Sequence, residues 1–216
     1  METKLIDVMG TDLTVVNAAR VSFGKKKEKF EEGDEKLIRY LAKHNHWSPF
    51  GHCMLQFHIK APIFVARQLV KHQVGLVWNE ISRRYVDTEP EFYEVDKWRG
   101  QPINKKQGSD GEVEKQGSCS YSKQMVENNA IIAYNDLLNA GVAPEQARMV
   151  LPQSLMTEWY WSGSLYAFAR VCNLRCAEDS QYETRLIANE IDTPVSYTHL
   201  RAHETDSYLV CRLLLE

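Results

Sequence analysis

Fifteen residues, "KHQVGLVWNEISRRY" from Lys71 to Tyr85, hold the densest run of side chains able to do chemistry. Lys71, His72, Asn79, Glu80, Ser82, Arg83 and Arg84 all fall within it. A bound phosphate needs two or three basic side chains, with hydroxyl and backbone donors, converging on it. "SRR" supplies Ser82, Arg83, Arg84 and their N–H groups. Glu80 would repel a phosphate, but an acid beside one can accept from a sugar hydroxyl, as acidic residues do on ribose. A nucleotide satisfies both halves. A solvated strand in which Glu80 pairs with Arg84, an interaction worth little, fits the same pattern. Neither G-x-G-x-x-G nor a P-loop is present, so this is not a site of either kind.

The elements around this segment follow from periodicity. "GDEKLIRYLAKHNH" predicts a helix capped by Asp34, with Leu37, Ile38 and Leu41 at helical spacing. Pro49 in "HWSPFGH" ends it. "CMLQFHIKAP" alternates, so Leu55, Phe57 and Ile59 predict the buried face of a strand. A helix is expected from Pro62 to Val74, closed by Gly75. On it Arg67, Lys71 and Val74 share one stripe, and Gln68 and His72 another. "NEISRRY", if extended, aims Glu80, Ser82 and Arg84 to one side and Ile81, Arg83 and Tyr85 to the other.

Residues 96–118 read as a long polar surface loop or insertion. "SKQMVENNAIIAYNDLLNAG" predicts a helix with Ser122 as cap and Gly141 just past its end. Pro144 starts a short helix carrying Arg148. "QSLMTEWYWSG" is strand-like, with Trp159, Tyr160 and Trp161 read as core. "SLYAFARVCNLR" and "DSQYETRLIANEI" are helical. Helices and strands intermix, so the class is α+β (mixed α/β): a single domain with a central sheet flanked by helices.

Composition narrows the partners. The chain has 216 residues, 44% hydrophobic and 25% charged, with a net charge of −3. That predicts an ordinary globular core and no global attraction to nucleic acid or membrane. No run is long enough to span a bilayer, and the N-terminus lacks a signal pattern, so a cytoplasmic protein is expected. The five cysteines form no C-x-x-C pair, and Cys172 and Cys176 have no histidine cluster to complete a metal site. No metal is expected, and the thiols read as reduced.

The chain resembles the flavin-dependent thymidylate synthases over most of 17–191. The motifs are "NAARVSFGK", "LIRYLAKHNHWSPFGH", "FHIKAPIFVARQLVKH", "NEISRRY", "ARMVLPQSLMTEWYWSGSLYAF" and "NLRCAEDSQYE". It departs from the family signature of R-H-R, seven residues, then Ser. Lys71-His72-Gln73 replaces R-H-R, and eight residues precede Ser82. Lysine lacks the planar fork of arginine, and Gln73 lacks the charge. Gly51 stands where many members have Glu.

The resemblance implies a thymidylate synthase-complementing type fold. It implies reductive methylation of dUMP to dTMP, with methylenetetrahydrofolate as carbon donor, FAD as hydride carrier and NADPH as reductant. Ser48, Lys71, His72, Gln73, Asn79 and His46 then face FAD. Gln68, Glu80, Ser82, Arg83, Arg84, Arg148 and Arg175 hold dUMP, Arg83 through its backbone. Arg175 and Ser82 are the candidate catalytic residues. Arg175 would stabilise charge on the uracil ring. Ser82 has no base in its motif to activate it and so reads as a phosphate ligand.

The resemblance also implies a homotetramer with active sites between subunits. Each residue has a plainer alternative. His46 can end a helix, Gln68 sit on a helix surface, Arg148 pair with Glu145, and Arg175 meet a helix dipole. His44, His52 and His58 read as structural. A catalytically impaired flavin- and nucleotide-binding relative is the alternative function, and a ligand-free interaction protein a third. The domain is expected to span 1–194. Residues 195–216, "VSYTHLRAHETDSYLVCRLLLE", are similar to a translated sequencing adapter and read as foreign to the fold.

Overall fold

The computed structural model describes residues 1–86, 88–103 and 108–198, with side chains to Thr193. Most of the adapter-like stretch therefore lies outside the described residues. The elements in chain order are β1 (Glu2–Met9), α1 (Asp12–Arg20), α2 (Glu32–Lys43), β2 (Met54–Pro62), α3 (Ile63–Leu69), β3 (Leu76–Glu80), β4 (Arg99–Gly100), β5 (Asp110–Glu112), α4 (Gln116–Asn139), α5 (Pro144–Ala147), β6 (Met156–Ser164), α6 (Leu165–Arg175) and α7 (Tyr182–Thr198).

Four strands form an antiparallel sheet in the order β1-β2-β6-β3. Strand alternation gives it one buried and one open face. Leu55, Phe57, Ile59 and Ala61 of β2 point inward with Trp159, Trp161 and Gly163 of β6. Phe168 of α6 packs on this face, its ring centroid 5.0 Å from Phe57 and 5.3 Å from Trp161. Burying a side chain of that size contributes roughly 1.5–3 kcal/mol. Helix α7 packs against both α6 and β1. Tyr160 is a correction: it points to the open face and is 47% exposed, because its neighbours on β6 take the inward positions. No described helix is long and apolar enough to cross a membrane.

The β3–β6 contact depends on two glycines. Gly75 turns at φ +77° just before β3. A Cβ on Gly163 would lie 2.4 Å from the Gly75 carbonyl oxygen. Only glycine permits so close an approach of two backbones.

Several boundaries differ from the sequence reading. Helix α2 is capped by Glu31, not Asp34. Asp34 sits three residues inside and completes a capping box: it accepts from the Glu31 N–H at 3.0 Å. Its fully buried carboxylate also takes Arg20 and Lys27, each at 2.8 Å. Helix α3 stops at Leu69, five residues before Val74. Val74 is 74% exposed, so no apolar contact supports further turns. Ser122 is not a cap: α4 begins at Gln116, and the Ser122 hydroxyl bonds back to the Ser118 carbonyl. The 96–118 stretch is not structureless either. It holds the β4–β5 hairpin, whose Arg99 pairs with the buried Glu183 of α7, and the first residues of α4. Gly141 closes α4 at φ +81°, as expected.

Candidate active site

The segment from Lys71 to Tyr85 divides at β3. Before the strand, the end of α3 and the Gly75 turn present Lys71, His72 and Gln73. Arg175, at the C-terminus of α6, donates from Nε to His72 Nε2 at 2.9 Å. The accepting nitrogen cannot carry a proton, so the neutral ring holds its proton on Nδ1. Burial, then the positive charges of Arg175 and Arg170, hold the imidazole below its ordinary value. Arg170, not selected from sequence, thus acts on this cluster through its charge. Lys71 and Gln73 are exposed beside it.

That shift fixes a pH response. Unfolded His72 gains a proton as pH falls through about 6.5, while the folded group resists it. The stabilisation is therefore complete above that value and is lost as pH falls toward the folded value. His72→Gln should narrow its melting-temperature deficit against wild type between pH 8 and pH 5. Parallel melting curves across that range would contradict the assignment.

Strand alternation separates the next two residues. Asn79 pairs with Tyr160 and faces the open side of the sheet. Glu80 pairs with Trp159 and faces the helices. Its carboxylate accepts from the Thr157 hydroxyl at 2.7 Å and from the Trp78 indole N–H at 3.0 Å. Glu80 forms no ion pair with Arg84. Instead Arg84 Nε lies 3.5 Å from the Glu145 carboxylate, and Arg148 donates to the Glu145 carbonyl at 3.2 Å. The sequence could place Arg148 near Glu145, but not Arg84, which arrives through tertiary packing.

Ile81 still bonds across to the Glu158 carbonyl, and beyond it the chain turns. Tyr85 N–H bonds to the Ser82 carbonyl, and the Ser82 hydroxyl accepts from the Arg84 N–H at 3.3 Å. This turn replaces the expected alternation of Ser82 and Arg84 with Arg83 and Tyr85. The Arg83 side chain donates at 2.7 Å to the Thr88 carbonyl, which leaves its backbone for other work.

The remaining candidates sit elsewhere. Gln68 of α3 accepts from the Thr184 hydroxyl of α7 at 2.7 Å. Thr184, Thr157 and Glu145 are supporting residues not selected from the sequence, although Thr157 lies inside one of the quoted motifs. His46 and Ser48 are exposed in the segment after α2. Trp47 between them meets Tyr166 of α6 at 5.8 Å. His58 lies 3.6 Å from Glu158, and the His44 ring meets Tyr40 at 4.3 Å with the planes tilted by 42°, which suits structural roles.

Two cavities lie away from these residues. One of about 460 Å³ lies along α7 beside Met1 and Tyr93. One of about 270 Å³ lies between Phe64, Trp98 and Arg99, where Lys97, Arg99 and Lys123 are each already paired with a glutamate. Lys71, Gln73, Asn79, Glu80, Arg84 and Arg148 are themselves exposed on the single chain. Among the described residues no cluster could hold a metal ion.

The chain is similar to known proteins over most of its length. Residues 4–198 match the family model described as thymidylate synthase complementing protein. A flavin-dependent thymidylate synthase of Thermus thermophilus is 44% identical over 188 residues, covering 87% of this chain and 68% of the relative. That of Thermosipho africanus is 41% identical, covering 87% of this chain and 82% of the relative. A solved UMP/dUMP methylase, PolB from Streptomyces cacaoi bound with 5-Br dUMP, superposes with a TM-score of 0.83 at 30% identity, covering 91% of this chain and 90% of the other. Matched in sequence and in fold along nearly its whole length, the chain belongs to the family of the flavin-dependent thymidylate synthases.

Proposed function

We propose that this protein is a cytoplasmic enzyme that reductively methylates dUMP to dTMP, drawing the carbon from methylenetetrahydrofolate and reducing power from NADPH through FAD. The observation that carries this reading is the division of residues 71–85 into two donor clusters. His72 with Arg175 forms one, and Arg84 with Arg148 the other, with the Glu80 carboxylate on the strand that joins them.

The second cluster suits the nucleotide. Arg84, Arg148, Ser82 and the Arg83 backbone supply the cations, hydroxyl and N–H groups that a phosphate takes. Glu80 supplies the acceptor for the sugar. Gln68 gives its oxygen to Thr184, which leaves its amide NH₂ as a donor toward the base. Ser82 is committed to phosphate, since no base stands within its turn to activate it.

The first cluster suits the flavin and the uracil ring. Lys71, the Nδ1–H of His72 and the amide of Gln73 are donors that fit the anionic and carbonyl groups of FAD; Asn79, Ser48 and His46 complete the set. When bound, FAD supplies the hydride that completes the methyl group. The bond to His72 uses one of the five N–H groups of Arg175. The others can stabilise negative charge spreading over the uracil carbonyls, which makes C5 more nucleophilic. Holding the phosphate fixes the ring where that charge acts.

Asn79 and Glu80 face opposite sides of the sheet, so one chain alone cannot present both to one pair of adjoining ligands. This supports active sites shared between subunits of a homotetramer.

The purified protein should be yellow, or become so with FAD, and should oxidise NADPH with formation of dTMP only when dUMP and methylenetetrahydrofolate are present. A colourless protein after FAD addition would remove the flavin reading, and a yellow one without dUMP-dependent oxidation would remove the catalytic one. Arg84→Ala should weaken dUMP binding about tenfold or more, as loss of a charged hydrogen bond does, and FAD binding less than about twofold. An equal loss of both ligands, measured by titration calorimetry, would contradict the division of roles.

A further inference from the structure

Glu80 is exposed at the end of β3, yet each of its carboxylate oxygens already has a donor inside the protein. Thr157 Oγ1 donates to one oxygen at 2.7 Å, and Trp78 Nε1 to the other at 3.0 Å. Both donors stand on strands of the sheet. Trp78 lies two residues back on the same face of β3. Thr157 lies on β6, diagonal to Glu80 across the ladder, where Trp159 is the direct partner.

The two donors are fixed for different reasons. Thr157 is buried, at an inward position whose neighbours along β6 are Trp159, Trp161 and Gly163. A core-facing hydroxyl is costly unless it is bonded, and the described bond is to Glu80. Trp78 stacks on Trp159 with centroids 4.2 Å apart and planes 18° from parallel, and it meets Trp161 edge-on at 5.5 Å. Its indole is therefore locked in direction before it meets the acid.

The direction of service can be decided. If Glu80 were placed to satisfy indoles, the fully buried Trp159 and Trp161 would have the stronger need. Their N–H groups meet no acceptor among the described residues. The acid instead serves the half-buried Trp78, which lies nearer to water. The tryptophan stack and Thr157 thus act on Glu80, and not the reverse.

We propose that Thr157 and Trp78 are positioning residues that hold the Glu80 carboxylate as a fixed acceptor for the sugar hydroxyl of the nucleotide. This rests on the reading of Glu80 as the sugar ligand. A carboxylate has about four acceptor sites. Two are used by these donors, and the others face outward from the strand end. Holding the acceptor on two strands removes the rotamer freedom that an exposed glutamate would otherwise lose on binding. The only hydroxyl on the sugar of dUMP is at the 3′ position, so the effect of the cradle is confined to that group.

The test is a cycle of protein against ligand. dUMP and 2′,3′-dideoxyuridine 5′-monophosphate, which lacks the hydroxyl, are titrated calorimetrically into wild type, Thr157→Val, Trp78→Phe and Thr157→Ser. Wild type should prefer dUMP by about tenfold or more, the scale of a hydrogen bond to a charged group. Thr157→Val and Trp78→Phe should each lose about five- to tenfold for dUMP and almost nothing for the dideoxy nucleotide. Thr157→Ser, which keeps the hydroxyl, should restore the preference. Unchanged affinity for the dideoxy nucleotide shows that each variant is folded. Equal losses for both nucleotides, or no loss for dUMP, would overturn the cradle while leaving Glu80 as sugar ligand. A wild type that binds both nucleotides equally would overturn the role of Glu80 itself, and the cradle with it.

Discussion

Replacing Arg175 by alanine is expected to lower kcat about 100- to 1,000-fold, the range seen when one preorganised donor to a developing anion is removed. Dissociation of dUMP should change much less, because the proposed site holds the phosphate and sugar through other residues. Arg175 ends α6, and a cation there also gains from the helix dipole, but only by roughly 0.3–1 kcal/mol. A purely structural role would therefore appear as a small loss of stability with turnover preserved. Steady-state kinetics beside a melting curve separates the two outcomes. A second readout follows from the bond to His72. Arg175 is one of the causes that hold the imidazole below its ordinary value, so the variant should shift the acidic limb of the pH–rate profile upward. Arg175→Lys keeps the charge without the planar fork and should fall between. Unchanged turnover in the alanine variant would end the assignment.

The largest effect on stability is expected at Asp34, far from the chemistry. Its carboxylate is fully buried, while Arg20 and Lys27 are each about a quarter exposed. Burial by itself would raise its titration, but bonds from Lys27, Arg20 and the Glu31 N–H outweigh burial and hold it below the usual carboxylate range. Asp34→Ala strands Arg20, leaves Lys27 only its pair with the exposed Glu31 at 2.6 Å, and opens the capping box. Removing one partner of a buried ion pair costs roughly 3–5 kcal/mol; with partners about a quarter exposed, the lower end, about 3 kcal/mol, is expected by urea denaturation. The sign with pH follows from the lowered value. The contribution is complete above the unfolded value near 3.9 and is lost as pH falls through the folded one. Wild type and variant should therefore converge in strong acid. A difference below about 1 kcal/mol at pH 7 would show that the cluster is solvated.

What can be read beforehand depends on whether the determining contacts are local. The alternation of Leu55, Phe57 and Ile59 is a property of consecutive residues, and β2 forms as expected. The closing Gly141 is equally local. The capping role expected of Asp34 falls three residues earlier, because Glu31 and Asp34 can each serve and only the ion pairs with Arg20 and Lys27 decide between them. Helix α3 ends early because Val74 has nothing to pack against, a fact no periodicity carries. Strand β1 pairs with β2 across some fifty residues, and no local pattern announces it. Among the site residues, the placement of Asn79 and Glu80 on opposite faces follows from strand geometry alone. The meetings of Arg84 with Glu145, Gln68 with Thr184 and His72 with Arg175 are tertiary, and only the family resemblance points toward them.

Glu145 holds Arg84 with its side chain and Arg148 with its backbone. On the proposed assignment of Arg84 and Arg148 to the nucleotide phosphate, it is a placeholder for that phosphate in the resting protein. Two long cationic side chains that would otherwise wander, each carrying about 2 kcal/mol of rotamer entropy, are gathered before any ligand arrives. The incoming group need only exchange with an exposed carboxylate whose hold is weak, on the order of 1 kcal/mol or less. On that assignment a share of the ordering cost of nucleotide capture is met during folding, and the encounter itself becomes a swap of one anion for another.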